Sequence, residues 1–362
     1  MNQPAVAGLD VGGANIKLAG PGDRCQHLPF ALWEQPDDLQ AILCRMLEEG
    51  PAIQRLALTM TGELTDCFAT KREGVAFIMR AVTAAADCPV RVWLTSGHFA
   101  TPEQACQRFL EAAASNWHGL ASWLARQDLD GAGRGLLIDT GSTTTDVIPF
   151  ASGRVLARGK TDLQRLVNYE LVYTGAIRSP LVGLASSLVF RDQKCPLMNE
   201  LFATALDIHV LLGHLPPGSC PEYAADHTGT SVEQCIARLA RLVGLDHSLL
   251  ERQEAMDLAR QLHQRQLDLL TDAVERVITE HGVPEVVVVS GQGEFLARMA
   301  WQALRARSAE PALAAARLIS FADRFGVVHS SCATAVAMLG LLGDPSVAQG
   351  DDDPVSRLGI TR

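Results

Sequence analysis

Lysine is scarce in this chain. Lys17, Lys71, Lys160 and Lys194 are the only four among 362 residues, the formal net charge is −10, and no basic block occurs. A nucleic-acid backbone is gripped by clustered Lys and Arg, so nucleic acid is excluded as the main partner. No apolar run approaches the roughly eighteen residues that a membrane-crossing helix needs. The N-terminus also lacks the charged segment and apolar core of an export signal. The sequence therefore predicts a cytoplasmic protein with no membrane partner. The nine cysteines include no CxxC pair and their number is odd, so neither a zinc site nor a disulfide framework is expected. Of the ten histidines, His209 and His214 come closest to ligand spacing. A five-residue step turns about 140° round a helix, which argues against a metal site there. No helix-turn-helix arm flanks the core, and this weighs against a DNA-reading regulator.

Apolar residues at 48% and charged residues at 20% describe a globular chain long enough for two domains and a cleft between them. Its most telling stretch is Gly8-Leu-Asp-Val-Gly-Gly-Ala-Asn-Ile-Lys17. An apolar strand runs up to Asp10, Gly12 and Gly13 can take positive φ and turn backbone N–H groups toward an anion, and Asn15 to Lys17 return with an ammonium. Asp10, ending a buried strand, is placed to hold hydrated Mg²⁺. Alone, the stretch is equally an ordinary hairpin. A second copy changes that: Gly135-Leu-Leu-Ile-Asp-Thr-Gly-Ser-Thr-Thr-Thr-Asp146 again ends a strand in an aspartate followed by a small-residue turn. The aspartates lie 129 positions apart (139 minus 10), which points to an internal duplication with two phosphate loops, 10–17 and 139–146. A third stretch, Val286-Val-Val-Val-Ser-Gly-Gln-Gly-Glu294, is a buried strand running into a Gly-x-Gly turn and a helix.

The three together resemble the two phosphate motifs and the adenosine motif of the actin, sugar kinase and Hsp70 superfamily. That resemblance implies an α/β fold of two ribonuclease-H-like (actin-like ATPase) domains facing across a cleft. The domains are expected at 1–130 and 131–343, with an insertion at about 160–230 in the second and a flexible tail at 344–362. Periodicity predicts helices at 37–49, 73–86, 101–114, 198–212, 232–243, 248–280, 294–307 and 329–342. Strands are expected at 54–60, 90–95, 154–158, 285–289 and 317–321. Ala333-Thr334-Ala335 is small enough to pack closely on a partner helix.

Four further stretches narrow the resemblance: Thr59-Met-Thr-Gly-Glu-Leu64, Ala114-Ser-Asn-Trp117, Tyr173-Thr-Gly-Ala-Ile-Arg-Ser-Pro180 and Asn199-Glu-Leu-Phe-Ala-Thr204. They resemble the hydantoinase A/oxoprolinase family, in its compact branch linked to tetrahydromethanopterin-dependent one-carbon metabolism. This implies a transferase of methanofuran assembly that joins an aminomethyl-furanmethyl diphosphate to the phenol of γ-glutamyltyramine. The resemblance assigns Mg²⁺ to Asp10 and Asp139, and the diphosphate to Gly12, Gly13, Asn15 and Lys17 with Gly141, Ser142, Thr143 and Thr144. From residue type, Arg178 is a candidate for the anionic end of the acceptor. Glu63, ahead of Asp66, is the candidate proton acceptor on a loop facing the cleft. Ser290, Gly291 and Gly293 are candidates for a nucleotide. ATP stays open but is not favoured, and an ATP-dependent kinase or amide hydrolase is the alternative. The partners expected are small molecules, and a homo-oligomer stays open. Two departures bear on the insertion: Ser179 stands where the family pattern reads Thr, and Ala225-Asp226-His227-Thr228 replaces an Ala-Asp-Gly-Arg-like stretch.

Overall fold

The computed structural model describes residues 5–347, which divide into two compact units, one of 5–135, 148–165 and 321–347, the other of 136–147 and 166–320. In the first, β1 (Val6–Val11), β2 (Asn15–Gly20) and β3 (Arg24–Pro29) form an antiparallel meander in which Asp10 faces Lys17. Helix α1 (Leu39–Glu48) carries the chain to β4 (Arg55–Met60), parallel to β1, and α2 (Lys71–Ala85) carries it to β5 (Val90–Trp93), parallel to β4. Short turns join the antiparallel strands, and helical crossovers join the parallel ones. With β6 (Phe99–Ala100) the order is β3-β2-β1-β4-β5-β6, the ribonuclease-H-like arrangement expected. Leu9, Val11, Leu56 and Leu58 meet Leu39, Leu43, Val75 and Ile78 in one core.

The helix expected at 101–114 is two pieces, α3 (Pro102–Gln107) and α4 (Phe109–Ala112), before α5 (Asn116–Leu124). Its start is as read: Thr101 and Gln104 form a capping box with Pro102 in the first turn. The break falls at Arg108, whose guanidinium bonds Glu111 and Ser96.

The next strands are β7 (Arg134–Thr140), β8 (Thr145–Ala151) and β9 (Arg154–Val155), the last shorter than the strand expected at 154–158. After α6 (Asp162–Val167) come β10 (Leu171–Val172), β11 (Ser187–Phe190), β12 (Gln193–Pro196) and α7 (Ala205–Leu211). The helix expected from 198 begins only at Ala205, because the Asp207 carboxylate accepts from the Thr204 N–H and fixes the helix start there. Then follow α8 (Val232–Leu242), α9 (Arg252–His281), β13 (Val286–Ser290), α10 (Glu294–Arg307), α11 (Pro311–Ala315) and β14 (Arg317–Ser320). The second unit's sheet has the order β10-β8-β7-β13-β14, with β13 and β14 parallel. The long α9 serves two cores, one under this sheet with Val274 and Val277, the other in the insertion with Leu258 and Leu262.

The chain ends differently from the expected division at 131–343. Helices α12 (Phe321–Phe325), α13 (Val327–Ser331) and α14 (Ala333–Gly343) belong to the first unit. Helix α14 lies so close on β1 that a Cβ at Gly8 would stand 2.0 Å from the Ala335 carbonyl oxygen. The small residues of α14 therefore serve a strand as well as a helix, for a Cβ at Gly340 would stand 2.2 Å from Trp123 Nε1 of α5. The tail expected from 344 is still packed at its start: Asp344 pairs with Arg126 at 3.7 Å and Val347 is buried. The remainder of that stretch lies outside the described residues. Among the described residues no helix is long and apolar enough to cross a membrane.

Candidate active-site turns

Asp10 is buried at the end of β1, accepts from Thr334 Oγ1 at 2.5 Å and lies 3.8 Å from Lys17 Nζ. The turn after it is closed by the Gly12 N–H donating to the Asn15 carbonyl at 2.9 Å. Two expectations are corrected here. Neither Gly12 nor Gly13 has positive φ; a Cβ at Gly12 would meet the Asn15 carbonyl oxygen at 2.9 Å, and one at Gly13 would meet Thr65 Cγ2 at 2.7 Å. These glycines answer to crowding rather than to handedness. The Gly12 N–H, moreover, is engaged in the turn itself. Asn15 accepts through its side-chain oxygen from His27 Nε2 at 2.8 Å, and His27 is held down to about 4 by burial and the nearby Lys17. The Thr61 and Gly62 N–H groups both donate to the Val11 carbonyl, so the loop after β4 is seated on this turn.

In that loop Asp66 is exposed, whereas Glu63 is almost wholly buried. Its carboxylate lies 3.8 Å from Lys71 Nζ, and Lys71 also bonds Asp162 at 2.5 Å. Arg165, buried, lies 3.8 Å from Asp162 and stacks over Trp117 at 4.2 Å. Thr59 Oγ1 and Ser115 Oγ meet at 2.9 Å, joining two of the family stretches. Glu63, Lys71, Asp162 and Arg165 form a chain of charges, with Arg165 ending on the Trp117 ring; in the sequence its only signal is the scarcity of lysine. Burial pushes Glu63 up to about 7, against the pull of its own and the Ala114 N–H groups and of Lys71.

A carboxyl whose folded value is raised keeps a proton that the unfolded chain has released. Its contribution is therefore full below the ordinary value of 4.5 and is lost as pH rises through about 7. Glu63→Gln should flatten the decline in stability between pH 5 and 8 by about 3 kcal/mol. Denaturant unfolding at both pH values measures this, and equal slopes in wild type and variant would contradict it.

In the second unit Asp139, half-buried at the end of β7, accepts from Ser290 Oγ at 2.6 Å. Its turn is closed as the first one is: the Gly141 N–H donates to the Thr144 carbonyl at 2.8 Å, so this N–H too is engaged within the turn. Ser142, Thr143 and Thr144 are half-buried along it. Two other predicted segments are seated on the same turn. Ala176 N donates to Gly141 O, and Ile177 N and Arg178 N both donate to Ser142 O. Gly293 N donates to Thr140 O, and Gly291, at φ 89°, passes so close that a Cβ would lie 2.2 Å from that oxygen. Only glycine suits both demands. The structure thus brings Asp139, Gly141 to Thr144, Arg178 and Ser290 to Gly293 together.

The departures in the insertion have structural answers. The Ser179 hydroxyl accepts from the Gly175 N–H at 2.7 Å, so it holds the strap 173–180 in shape. Asp226 bonds Arg238 at 2.7 Å, and Arg238, fully buried, also bonds the buried Asp207 at 2.6 Å. The histidine expectation is overturned: His209 and His214 meet, Nδ1 to Nδ1, at 3.2 Å. Helix α7 stops at Leu211, Gly213 turns at φ 74°, and the His214 N–H donates back to the His209 carbonyl, so helical spacing does not apply. All nine cysteines are free thiols.

Each unit thus holds an aspartate turn of the same form with a further segment seated on it. The hydantoinase/oxoprolinase family model matches residues 55–315, and the chain belongs to that family. Among its relatives is the (4-{4-[2-(gamma-L-glutamylamino)ethyl]phenoxymethyl}furan-2-yl)methanamine synthase of Methanocaldococcus jannaschii, 36% identical over 80% of this chain and 86% of the relative. The synthase of the same name from Methanococcus vannielii is 30% identical over 53% of this chain and 82% of its own. Acetone carboxylase in its nucleotide-free form matches at a TM-score of 0.50 and 10% identity, covering 93% of this chain and 70% of that one. That last likeness concerns the fold alone, the mixed α/β fold of the actin-like ATPase class.

Proposed function

We propose that this enzyme is a transferase of methanofuran assembly, joining an aminomethyl-furanmethyl diphosphate to the phenol of γ-glutamyltyramine with release of diphosphate. The observation that carries the reading is the 36% identity to a synthase of that ether product over 80% of the chain. The docking of the 173–180 strap on the Gly141–Thr144 turn supports it. The turn of residues 290–293 on Thr140 favours the second reading, an ATP-dependent kinase or amide hydrolase.

The C–O bond to the diphosphate breaks with its electron pair leaving on the phosphate oxygen, because the furan ring oxygen spreads the positive charge left on the exocyclic carbon. The phenol oxygen then captures that carbon and gives up its proton. A phenol has a pKa near 10, so it attacks as the neutral group. Lys17 and the turns at Gly12 to Asn15 and Gly141 to Thr144 are each assigned to the departing diphosphate. Asp10 and Asp139 offer hard oxygen donors at strand ends, the donor type Mg²⁺ takes. An ion bound at either carboxylate would supply charge neutralisation on the diphosphate. Glu63 is assigned the phenol proton, and its rise to about 7 suits proton uptake near neutrality. The function is tested by supplying the two substrates to purified protein and identifying the ether by mass and free diphosphate by phosphorus NMR. Neither forming would overturn it. In the same assay Glu63→Gln should lose about a hundredfold or more in kcat.

Arg178 gives a separate prediction. Its guanidinium suits bidentate contact with the glutamyl carboxylate, so Arg178→Ala should raise KM for γ-glutamyltyramine about tenfold or more and leave KM for the furan diphosphate within about twofold. Its backbone already touches the Ser142 turn. A rise in the diphosphate KM instead would move Arg178 to the leaving group.

A further inference from the structure

Three histidines gather in the second unit away from the aspartate turns. His209 lies in the last turn of α7, His214 follows the reversal at Gly213, and His263 projects from α9. One ring nitrogen from each lies within 4.8 Å of the others. His209 Nδ1 and His214 Nδ1 are 3.2 Å apart, close to the roughly 3.3 Å that two imidazole nitrogens span on a tetrahedral ion with bonds of about 2.0–2.1 Å. The ring of Phe295 closes one side, 4.9 Å from His209 and 5.2 Å from His214 between centroids.

Two observations point to a ligand here. His263 is 9% exposed, yet neither of its ring nitrogens has a hydrogen-bond partner in the protein. A buried imidazole left so is costly unless something binds it. Second, the tautomer of His209 is fixed from behind. Gln266 donates through Nε2 to Thr174 Oγ1 at 2.9 Å and to the Gly175 carbonyl at 2.8 Å, which leaves its Oε1 to accept from His209 Nε2 at 3.0 Å. His209 Nε2 therefore carries the hydrogen and Nδ1 presents its lone pair to the cluster, the outer-shell arrangement of a metal-bound histidine. Burial also favours the neutral, ligating form of all three rings.

We propose that His209, His214 and His263 bind a late first-row divalent transition metal, Zn²⁺ foremost, distinct from any ion at Asp10 or Asp139. Three imidazoles leave a fourth position for water, and imidazole suits Zn²⁺ over the hard Mg²⁺. Through Gln266 the ion fixes the Thr174–Gly175 strap that is seated on the Gly141–Ser142 turn. It therefore acts as a positioning ion for that strap.

The full chain, stripped with a chelator, is titrated with Zn²⁺ against a chromophoric competitor and with Co²⁺ by visible absorption. Expected are one Zn²⁺ per chain, a tetrahedral Co²⁺ spectrum without thiolate charge-transfer bands, and a Zn²⁺-dependent rise in Tm. His263→Gln should weaken binding by about a hundredfold or more. Because that position is buried, His214→Asn, at a half-buried position, provides a second variant, with folding of both checked by circular dichroism. Absence of stoichiometric binding to the wild type would overturn the proposal. So would affinity unchanged in the folded variants, or thiolate bands that place the ion on cysteine.

Discussion

Asp139→Asn is expected to lower kcat by about a thousandfold or more while leaving Tm within about 2 °C of the wild type. The residue ends a strand whose apolar neighbours are fully buried, and Asn is nearly the same size. Its side-chain oxygen can still accept from Ser290 Oγ, now at 2.6 Å from the carboxylate. What is lost is the negative charge assigned to Mg²⁺, and so the neutralisation of a leaving diphosphate. Asp10→Asn should behave alike, with Thr334 Oγ1 still donating to the side-chain oxygen. A rate within threefold of wild type for Asp139→Asn would remove it from the chemistry.

The largest stability effect is expected at Arg238. Its guanidinium is fully buried and bonds two carboxylates, Asp207 at 2.6 Å and Asp226 at 2.7 Å. Arg238→Ala leaves Asp207, 1% exposed, without its ion-pair partner, and should destabilise the chain by about 3–5 kcal/mol. The double variant Asp207→Asn/Arg238→Met removes both buried charges, keeps a side-chain oxygen for the Thr204 N–H and should recover more than half of that loss. Denaturant unfolding decides: a loss under 1 kcal/mol for Arg238→Ala would show that the pair does not hold the insertion together.

What the sequence made legible was local. A strand ending in Asp10 or Asp139 with a small-residue turn declares itself within ten residues, and so does the strand and Gly-x-Gly turn at 286–294. Strand β3 escaped because Arg24, Gln26 and His27 are half-buried on a sheet edge and show no clean alternation. Contacts over long separations were not visible at all. Nothing within α14 states that Ala335 lies on Gly8, or that Thr334 donates to Asp10. The Glu63, Lys71 and Asp162 chain spans about a hundred residues and depends on burial, which no local pattern states. Helical spacing cannot show the histidine cluster, because the helix ends at Leu211, two residues past His209. A glycine pair in a turn suggests positive φ, but at Gly12 and Gly13 it is Asn15 and Thr65, brought close by the fold, that exclude a side chain.

In the proposed reaction diphosphate leaves from the furan substrate and no nucleotide is consumed. Purified protein is given the furan diphosphate, γ-glutamyltyramine and Mg²⁺, with and without ATP, and ether, diphosphate and ADP are followed together. The account predicts ether and diphosphate formed one to one at the same rate in both reactions, with no ADP. Ether that appears only with ATP, or ADP formed in step with it, would contradict the account and leave the ATP-dependent reading in its place.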